Sequence, residues 1–186
     1  MEITLPALLV LFNISNSVVG YTQPVNYNEI YCLAANSYFE ARGEPFDGKI
    51  AVAQVVMNRV KSKDYPNSVC EVITEGPHRE SWKTRGKELP KEERQYYPIK
   101  HRCQFSWYCD GYSDKIPIKR KDGNINTVIE NMWKDSVYAA ILVYNNRTKN
   151  LVGTSEFYYA HEKVTPDWAE EMDEYVTIEG HRFMYD

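Results

Sequence analysis

The chain has 186 residues, which is enough for one domain with a sizeable hydrophobic core. Hydrophobic residues make up 43% of it and charged residues 26%, an ordinary globular composition. The net charge of −4 gives no indication of a nucleic-acid partner.

Residues 1–20 are predicted to be a signal peptide or an N-terminal anchor. An apolar run over residues 5–14 precedes small residues that suit a cleavage site, and the run is short for a membrane span. No Lys or Arg precedes the run, whereas a signal peptide normally begins with positive charge. An uncleaved anchor in contact with the membrane and a segment packed on the domain are therefore the alternatives. We expect export to the periplasm, cell wall or extracellular space, with membrane tethering if the segment is not cleaved.

Residues 27–41 are predicted to form a helix, with Asn28 as N-cap and one apolar face made by Ile30, Leu33, Ala34 and Tyr38. Gly43 suits a left-handed C-terminal position. Pro45 and Asp47 then open a second helix, whose core stripe comprises Ile50, Val52, Ala53, Val56, Met57 and Val60. A short third helix follows Pro66.

Residues 76–102 break this pattern and are locally basic, with eight Lys or Arg against four Glu. They are interpreted as a solvated surface excursion, with a lid over a cleft as the alternative. Contact with an anionic cell-wall polymer is a hypothesis motivated by this charge.

"CQFSWYCDG" (103–111) is predicted to be a strand that runs into a turn at Asp110 and Gly111. Thr127 and Glu130 have capping-box spacing and open a long helix with Met132, Ala139 and Val143 inward. "TSEFYYAHE" and "YVTIEGHRFMYD" indicate strands, the second pair joined at Glu179 and Gly180. Without repeats or linkers, residues 21–186 are predicted to form a single α+β domain that is helix-rich with a small β-sheet.

The four cysteines, Cys32, Cys70, Cys103 and Cys109, fit an exported protein with disulfides, and three connectivities are possible. Buried free thiols are the alternative. A metal site is not indicated, because the chain has no CxxC pair and no HExxH spacing among its four histidines.

Glu40 is a carboxylate near a helix end, followed by a break and a second apolar helix. If it were partly desolvated at the edge of a cleft, its pKa would rise and it could hold a proton near neutral pH. A Glu at such a position is nevertheless usually a solvated surface residue, so position alone does not single it out.

"YFEARGEPFDGKIAVAQVVMNRV" resembles the opening motif of the SleB/CwlJ-like cell-wall hydrolase family, the spore-cortex-lytic enzymes. The resemblance continues in order through "YPNSVCEVI", "CQFSWYCDG", "FYYAHEKVTPDWA" and "TIEGHRFMYD", and spans about residues 28–186. It implies a lysozyme-like, goose-type α+β fold and cleavage of bacterial peptidoglycan glycan strands, without a metal or organic cofactor. The catalytic acid/base of the "EARGE" motif corresponds to Glu40.

The resemblance also implies a lytic transglycosylase mechanism. Glu40 protonates the oxygen between N-acetylmuramic acid and N-acetylglucosamine, the muramic acid 6-hydroxyl attacks, and a 1,6-anhydro product forms. A hydrolytic muramidase would normally need a second carboxylate. Glu44 is close by in sequence, but its direction is open, and it is equally a candidate salt-bridge partner of Arg42 or Lys49.

Further substrate-binding candidates come from two blocks that line the family's cleft: Gln104, Ser106, Tyr158, Tyr159 and His161. Many relatives carry His where Tyr158 stands, so the polar role does not transfer directly, although Tyr can stack on a sugar. Trp168 is interpreted as a packing anchor, with sugar stacking as the alternative, and Arg42 and Asn58 are interpreted as structural.

Three readings compete: the transglycosylase or hydrolase, a non-catalytic peptidoglycan-binding module, and a structural exported protein. Glu40 argues against the second and the ordered blocks against the third. A bacterial wall-remodelling enzyme and a phage lysis enzyme (endolysin) both fit.

Overall fold

The computed structural model describes residues 26–186. Its four α-helices are α1 (Tyr27–Ala41), α2 (Phe46–Lys61), α3 (Val69–Thr74) and α4 (Thr127–Tyr144). A two-stranded antiparallel sheet pairs β1 (His78–Glu80) with β2 (Tyr96–Pro98). A three-stranded antiparallel sheet has the order β3 (Phe157–Ala160), β5 (His181–Tyr185), β4 (Asp173–Ile178). Short 3₁₀ helices occupy Lys91–Glu93, Ser106–Cys109 and Asp167–Glu170.

The core is organised around α1, which is buried on nearly every side. Every residue from Ile30 to Tyr38 is buried, because α2, α3 and α4 all pack against this helix. Trp133 of α4 is fully buried and meets the rings of Tyr31 and Tyr38 edge-on, at centroid distances of 5.7 and 6.2 Å. The α+β class and the extents of the helices are therefore as predicted.

The caps of the helices differ from the prediction. Asn26, not Asn28, caps α1 by accepting a hydrogen bond from the Glu29 N–H at 3.3 Å. Asn126 caps α4 in the same way and replaces the predicted Thr127–Glu130 capping box. Gly43 has no left-handed conformation, because a tight turn ends α1 instead, with the Glu44 N–H bonded to the Ala41 carbonyl at 3.0 Å.

The predicted strand over residues 103–111 is wrong. A disulfide joins Cys103 to Cys109 with their Cα atoms 6.2 Å apart, whereas six extended residues would span about 20 Å. The segment folds back into the 3₁₀ helix instead. The other disulfide, Cys32–Cys70, ties α1 to α3, which settles the connectivity that the sequence left open.

The loop between α4 and β3 is held by polar side chains of α2. Gln54 bonds the Lys149 carbonyl and the Leu151 N–H, and Asn58 donates to the carbonyls of Gly153 and Ser155, at 2.7 to 3.1 Å. These contacts confirm the structural role predicted for Asn58. They also set where β3 begins.

Residues 76–102 form an excursion that leaves and rejoins the fold at one place. The Gln104 N–H bonds the Glu75 carbonyl at 3.1 Å, and the Ile99 N–H bonds the Pro77 carbonyl at 2.9 Å. Between these points lie β1 and β2, so the segment is an ordered projection.

None of the helices within residues 26–186 is long and apolar enough to cross a membrane. The predicted signal peptide or anchor, residues 1–20, lies outside the described residues.

The two disulfides are expected to differ in their effect on stability. Replacing both Cys32 and Cys70 by Ala should lower the free energy of unfolding by about 4 kcal/mol, because this disulfide closes a sequence separation of 38. Replacing both Cys103 and Cys109 by Ala should lower it by about 2 kcal/mol, because that disulfide closes a separation of only 6. Denaturant titration of the two double variants measures both values. A larger loss for the Cys103–Cys109 pair would contradict this expectation.

Candidate active site

A cleft of about 660 Å³ opens between the end of α1, the segment that follows the Ser106–Cys109 3₁₀ helix, and the sheet strands β3 and β5. Glu40 projects into it from the last turn of α1. The predicted residues Ser106, Tyr158 and Tyr159 line the same cleft. Residues from four separate parts of the chain therefore meet around one carboxyl group.

The carboxyl group of Glu40 is largely desolvated. Burial raises its pKa above the usual value, and this effect outweighs the hydroxyl of Tyr158 and the positive charge of Arg59, which both act to lower the pKa. Glu40 therefore holds a proton to higher pH than an exposed Glu would. Such a group can donate that proton to a ligand in the cleft.

The Tyr158 hydroxyl and the Asn36 side chain form a buried polar pair beside Glu40, of which only Tyr158 was predicted as a site residue. The Tyr158 hydroxyl is close enough to interact with both Glu40 and Asn36, yet it makes no hydrogen bond of standard geometry with any described residue. Asn36 is fully buried one turn before Glu40, and its Oδ1 accepts a bond from Trp107 Nε1 at 2.9 Å. Its Nδ2 finds no partner within residues 26–186. The pair thus retains unused hydrogen-bonding capacity next to the carboxyl group.

Arg59 supplies a positive charge that acts to lower the pKa of Glu40. Its side chain is buried, its Nε donates to the Glu156 carbonyl at 2.7 Å, and its guanidinium lies over the ring of Phe105 at 5.2 Å. Its Nη1 lies 3.5 Å from Gln104 Oε1. Gln104, predicted to bind substrate, is therefore engaged with Arg59 and does not line the cleft.

Glu44, whose direction the sequence left open, is turned toward the hairpin of β4 and β5. Its Oε2 accepts a bond from the Gly180 N–H at 3.1 Å, and a Cβ at Gly180 would come within 2.9 Å of Oε1. Lys49 donates to the backbone carbonyl of Glu44 and forms no ion pair with its carboxylate. Arg42 lies over the Tyr38 ring at 5.7 Å. Glu44 therefore joins the α1–α2 break to the sheet.

His161 does not line the cleft either. Its Nε2 lies 3.2 Å from the Glu179 carbonyl, so it supports the β4–β5 turn.

Tyr159 lines the cleft, and its hydroxyl accepts a hydrogen bond from Arg182 Nη1 at 3.3 Å. Trp168 packs on Phe157 and Tyr159 with centroid distances of 5.8 and 5.7 Å, as a packing anchor should.

The segment after the 3₁₀ helix adds cleft residues that the sequence analysis missed. Tyr112 is 85% exposed and lies at the cleft, where its ring is free to stack on a ligand. Asp110 accepts from the Tyr112 N–H at 2.7 Å, which confirms its turn role. Burial, together with the charge of Asp110, raises the pKa of Asp114. No pattern in the sequence marked Tyr112 or Asp114.

A model of the cell wall hydrolase family matches residues 43–184. Glu40 precedes this range, so the match does not bear on its role. The spore cortex-lytic enzyme of Bacillus subtilis strain 168 is 52% identical over 48 residues, or 26% of this chain and 16% of the relative. The spore cortex-lytic enzyme of Bacillus cereus is 48% identical over 56 residues, which are 30% of this chain and 20% of the relative. The matched part thus spans a fifth or less of these relatives.

Among solved structures, the catalytic domain of the germination-specific lytic transglycosylase SleB from Bacillus anthracis resembles this chain with a TM-score of 0.51 and 25% identity. The alignment covers 90% of this chain and 98% of that domain. This similarity confirms the predicted lysozyme-like α+β fold.

Removing the Tyr158 hydroxyl should raise the pKa of Glu40 further, because the hydroxyl stabilises the ionised form. The expected result is a higher midpoint for Glu40 in an NMR pH titration of Tyr158→Phe than in the parent. Tyr159→Phe is the matched control, since that hydroxyl is engaged with Arg182. Equal midpoints in Tyr158→Phe and the parent would show that the hydroxyl does not act on Glu40.

Glu40 should also make folding stability depend on pH. Because its pKa is raised in the folded state, ionisation of Glu40 costs stability as the pH rises from its unfolded value of about 4.3 through the folded pKa. Glu40→Gln should therefore be more stable than the parent at pH 7, and the difference should disappear below about pH 4. Melting curves across pH measure this, with the exposed Glu88→Gln as control. A Glu40→Gln chain less stable at every pH would refute it.

Proposed function

The chain belongs to the cell wall hydrolase family, and we propose that it cleaves bacterial peptidoglycan with Glu40 as its catalytic acid/base. The bond is the β-1,4 linkage between N-acetylmuramic acid and N-acetylglucosamine, and the reaction is that of a lytic transglycosylase. The observation that carries the proposal is the Glu40 carboxyl in a cleft of 660 Å³, with its pKa raised by burial. The similarity to the SleB catalytic domain of Bacillus anthracis supports it.

The first step is proton donation. Protonated Glu40 gives its proton to the bridging oxygen, the bond from that oxygen to the muramic acid anomeric carbon breaks, and positive charge develops on the sugar ring. The carboxylate that remains is stabilised by the Arg59 charge and the Tyr158 hydroxyl. These two groups keep the ionised state accessible in a site where burial alone would oppose it.

The second step uses the substrate as nucleophile. The 6-hydroxyl of the muramic acid forms a bond to the anomeric carbon, and its proton passes to the Glu40 carboxylate, which restores the starting enzyme. No second carboxylate is required. Glu44 also lines the cleft, and its Oε2 accepts a bond from the Gly180 N–H, which ties the side chain to the hairpin of β4 and β5.

The walls of the cleft suit a glycan. Tyr112 offers an exposed aromatic ring, and Ser106 offers a hydroxyl that can bond a sugar hydroxyl or acetamido group. Asn36 is fully buried and does not contact the cleft. Tyr158 lines the cleft, and its buried hydroxyl lowers the pKa of Glu40.

Hydrolysis is the second candidate, because Asp110 and Asp114 line the same cleft as Glu40. A carboxylate facing Glu40 across the glycan could place a water molecule or form a covalent intermediate. Burial and the charge of Asp110 raise the pKa of Asp114, which strengthens it as a base while it is ionised, so this shift does not exclude hydrolysis. We rank the transglycosylase first because the similar SleB domain of Bacillus anthracis is described as a lytic transglycosylase.

We also propose that the protein acts outside the cytoplasm. Both pairs of cysteines are joined as disulfides, which persist in oxidising compartments. Peptidoglycan lies in the same compartment. Whether residues 1–20 are cleaved or anchor the chain in the membrane is a separate prediction.

The products of purified peptidoglycan distinguish these candidates. The parent should release muropeptides with 1,6-anhydro ends, detected by mass spectrometry, and Glu40→Gln should lower the rate by at least about 100-fold, because a positioned acid supplies that much. Asp114→Asn should leave the anhydro products in place.

Other outcomes decide among the alternatives. Reducing ends that are lost in Asp114→Asn would identify a hydrolase. Binding of the parent to peptidoglycan without any released product would identify a binding module.

A further inference from the structure

The excursion of residues 76–102 carries a second concave surface, away from the cleft. A pocket of about 490 Å³ is lined by Arg79, Glu80, Ser81, Trp82, Lys83, Arg85 and Tyr97, and we name it the Trp82 pocket. None of these residues lines the cleft of Glu40. Its composition is aromatic and cationic, unlike the acidic chain as a whole.

The turn that presents this pocket is held by buried polar groups. Ser81 and Thr84 are buried, the Ser81 N–H bonds the Gln95 carbonyl at 2.7 Å, and the Arg85 N–H bonds the Ser81 carbonyl at 2.9 Å. Arg79 and Tyr97 are cross-strand neighbours in the sheet of β1 and β2. The pocket is therefore built on hydrogen-bonded backbone.

Its aromatic side chains are unusually exposed for such an ordered turn. Trp82 is 78% exposed and Tyr97 is 52% exposed, while Tyr96 on the same strand is 48% exposed. Scattered exposed aromatics are normal, but Trp82 and Tyr97 line one pocket together, which marks an interaction surface, whereas Tyr96 points to the opposite face of the strand. Flat aromatic faces of this kind stack on sugar rings and their C–H groups.

The Trp82 pocket carries positive charges that form no ion pairs within the described part of the chain. Glu80 is neutralised by Arg94, whose Nη1 lies 3.3 Å from its Oε2. Arg79, Lys83 and Arg85 form no ion pair with any other described residue. Three cations beside an aromatic face complement a ligand that carries both sugars and repeated anions, and guanidinium groups bind phosphate oxygens in pairs.

We infer that the Trp82 pocket binds a phosphodiester-linked anionic glycopolymer of the cell wall and so holds the protein on its substrate. The choice of a wall polymer rests on the proposed function, but the binding does not use Glu40. The base of the excursion adjoins the wall of the cleft, since the His101 N–H bonds the Cys109 carbonyl at 3.1 Å. Binding there raises the effective concentration of glycan at Glu40.

The test compares the wall binding of two triple variants that lose the same number of positive charges. Both are made in the Glu40→Gln chain, so that cleavage does not interfere with the measurement of binding. Arg79→Ala, Lys83→Ala and Arg85→Ala together remove three cations from the pocket, and Trp82→Ala removes its aromatic face. Lys119→Ala, Arg120→Ala and Lys121→Ala remove three exposed cations elsewhere, so net charge is equal in the two triple variants. Binding is measured by co-sedimentation with isolated walls, before and after hydrofluoric acid removes their phosphodiester polymers. Melting curves check that each variant folds.

The pocket variants should lose about tenfold in affinity for intact walls, as several exposed ion pairs and one stacking contact imply. The control triple variant should lose little affinity for intact walls. Added salt should weaken the binding of the parent. Walls treated with hydrofluoric acid should bind the parent and all variants with equal affinity. With Glu40 restored, the pocket triple variant should still cleave soluble glycan fragments at the parental rate.

Three results would overturn the inference. An equal loss in the control triple variant means general charge attraction. Full binding to stripped walls means that the ligand is the glycan or its peptide carboxylates. Stronger binding to anionic vesicles or single-stranded nucleic acid than to walls means another class of partner. A parent that binds through the pocket yet cleaves nothing would refute the proposed function and leave this inference standing.

Discussion

The burial of α1 on nearly all sides is the constraint on which the candidate site depends. A helix surrounded by α2, α3 and α4 cannot shift or rotate without opening the core, so the residue in its last turn has a fixed position. Glu40 is that residue, and it emerges where the helices end and the sheet begins. The packing that stabilises the fold therefore also removes water from the carboxyl group. Stability and the raised pKa of Glu40 have the same physical origin.

The polar groups around Glu40 fall into two sets, one that faces the cleft and one that affects the pKa of the carboxyl group. Residues that face the cleft, such as Tyr112 and Ser106, are free of strong partners and available to a ligand. Behind the carboxyl group, the charge of Arg59 and the buried hydroxyl of Tyr158 lower its pKa, and Asn36 acts on that hydroxyl. Under the proposed mechanism this separation is useful, because Glu40 must both give up and recover a proton during one turnover.

Much of the fold could be predicted because its signals are local. Apolar spacing identified α1 and α2, and Glu179 with Gly180 identified the hairpin of β4 and β5. The strand predicted at residues 103–111 failed because a disulfide between Cys103 and Cys109 overrides a local pattern. Glu40 came from the family resemblance, since spacing alone did not separate it from other acids. Its buried neighbours depend on contacts between residues as distant as Asn36 and Trp107, which no single-sequence pattern encodes.

The loop between α4 and β3 shows how backbone contacts limit the number of side chains on which the site depends. Gln54, Asn58 and Arg59 hold this loop mainly through its carbonyl oxygens, which every amino acid supplies. Exposed side chains such as Lys149 and Thr154 can therefore be replaced in engineering without removing these bonds. Val152 and Gly153 are the exceptions, because Val152 is buried in the core and a Cβ at Gly153 would meet the Tyr175 ring at 2.8 Å. Much of the information that places Tyr158 beside Glu40 is thus stored in α2, a helix that does not contain Glu40.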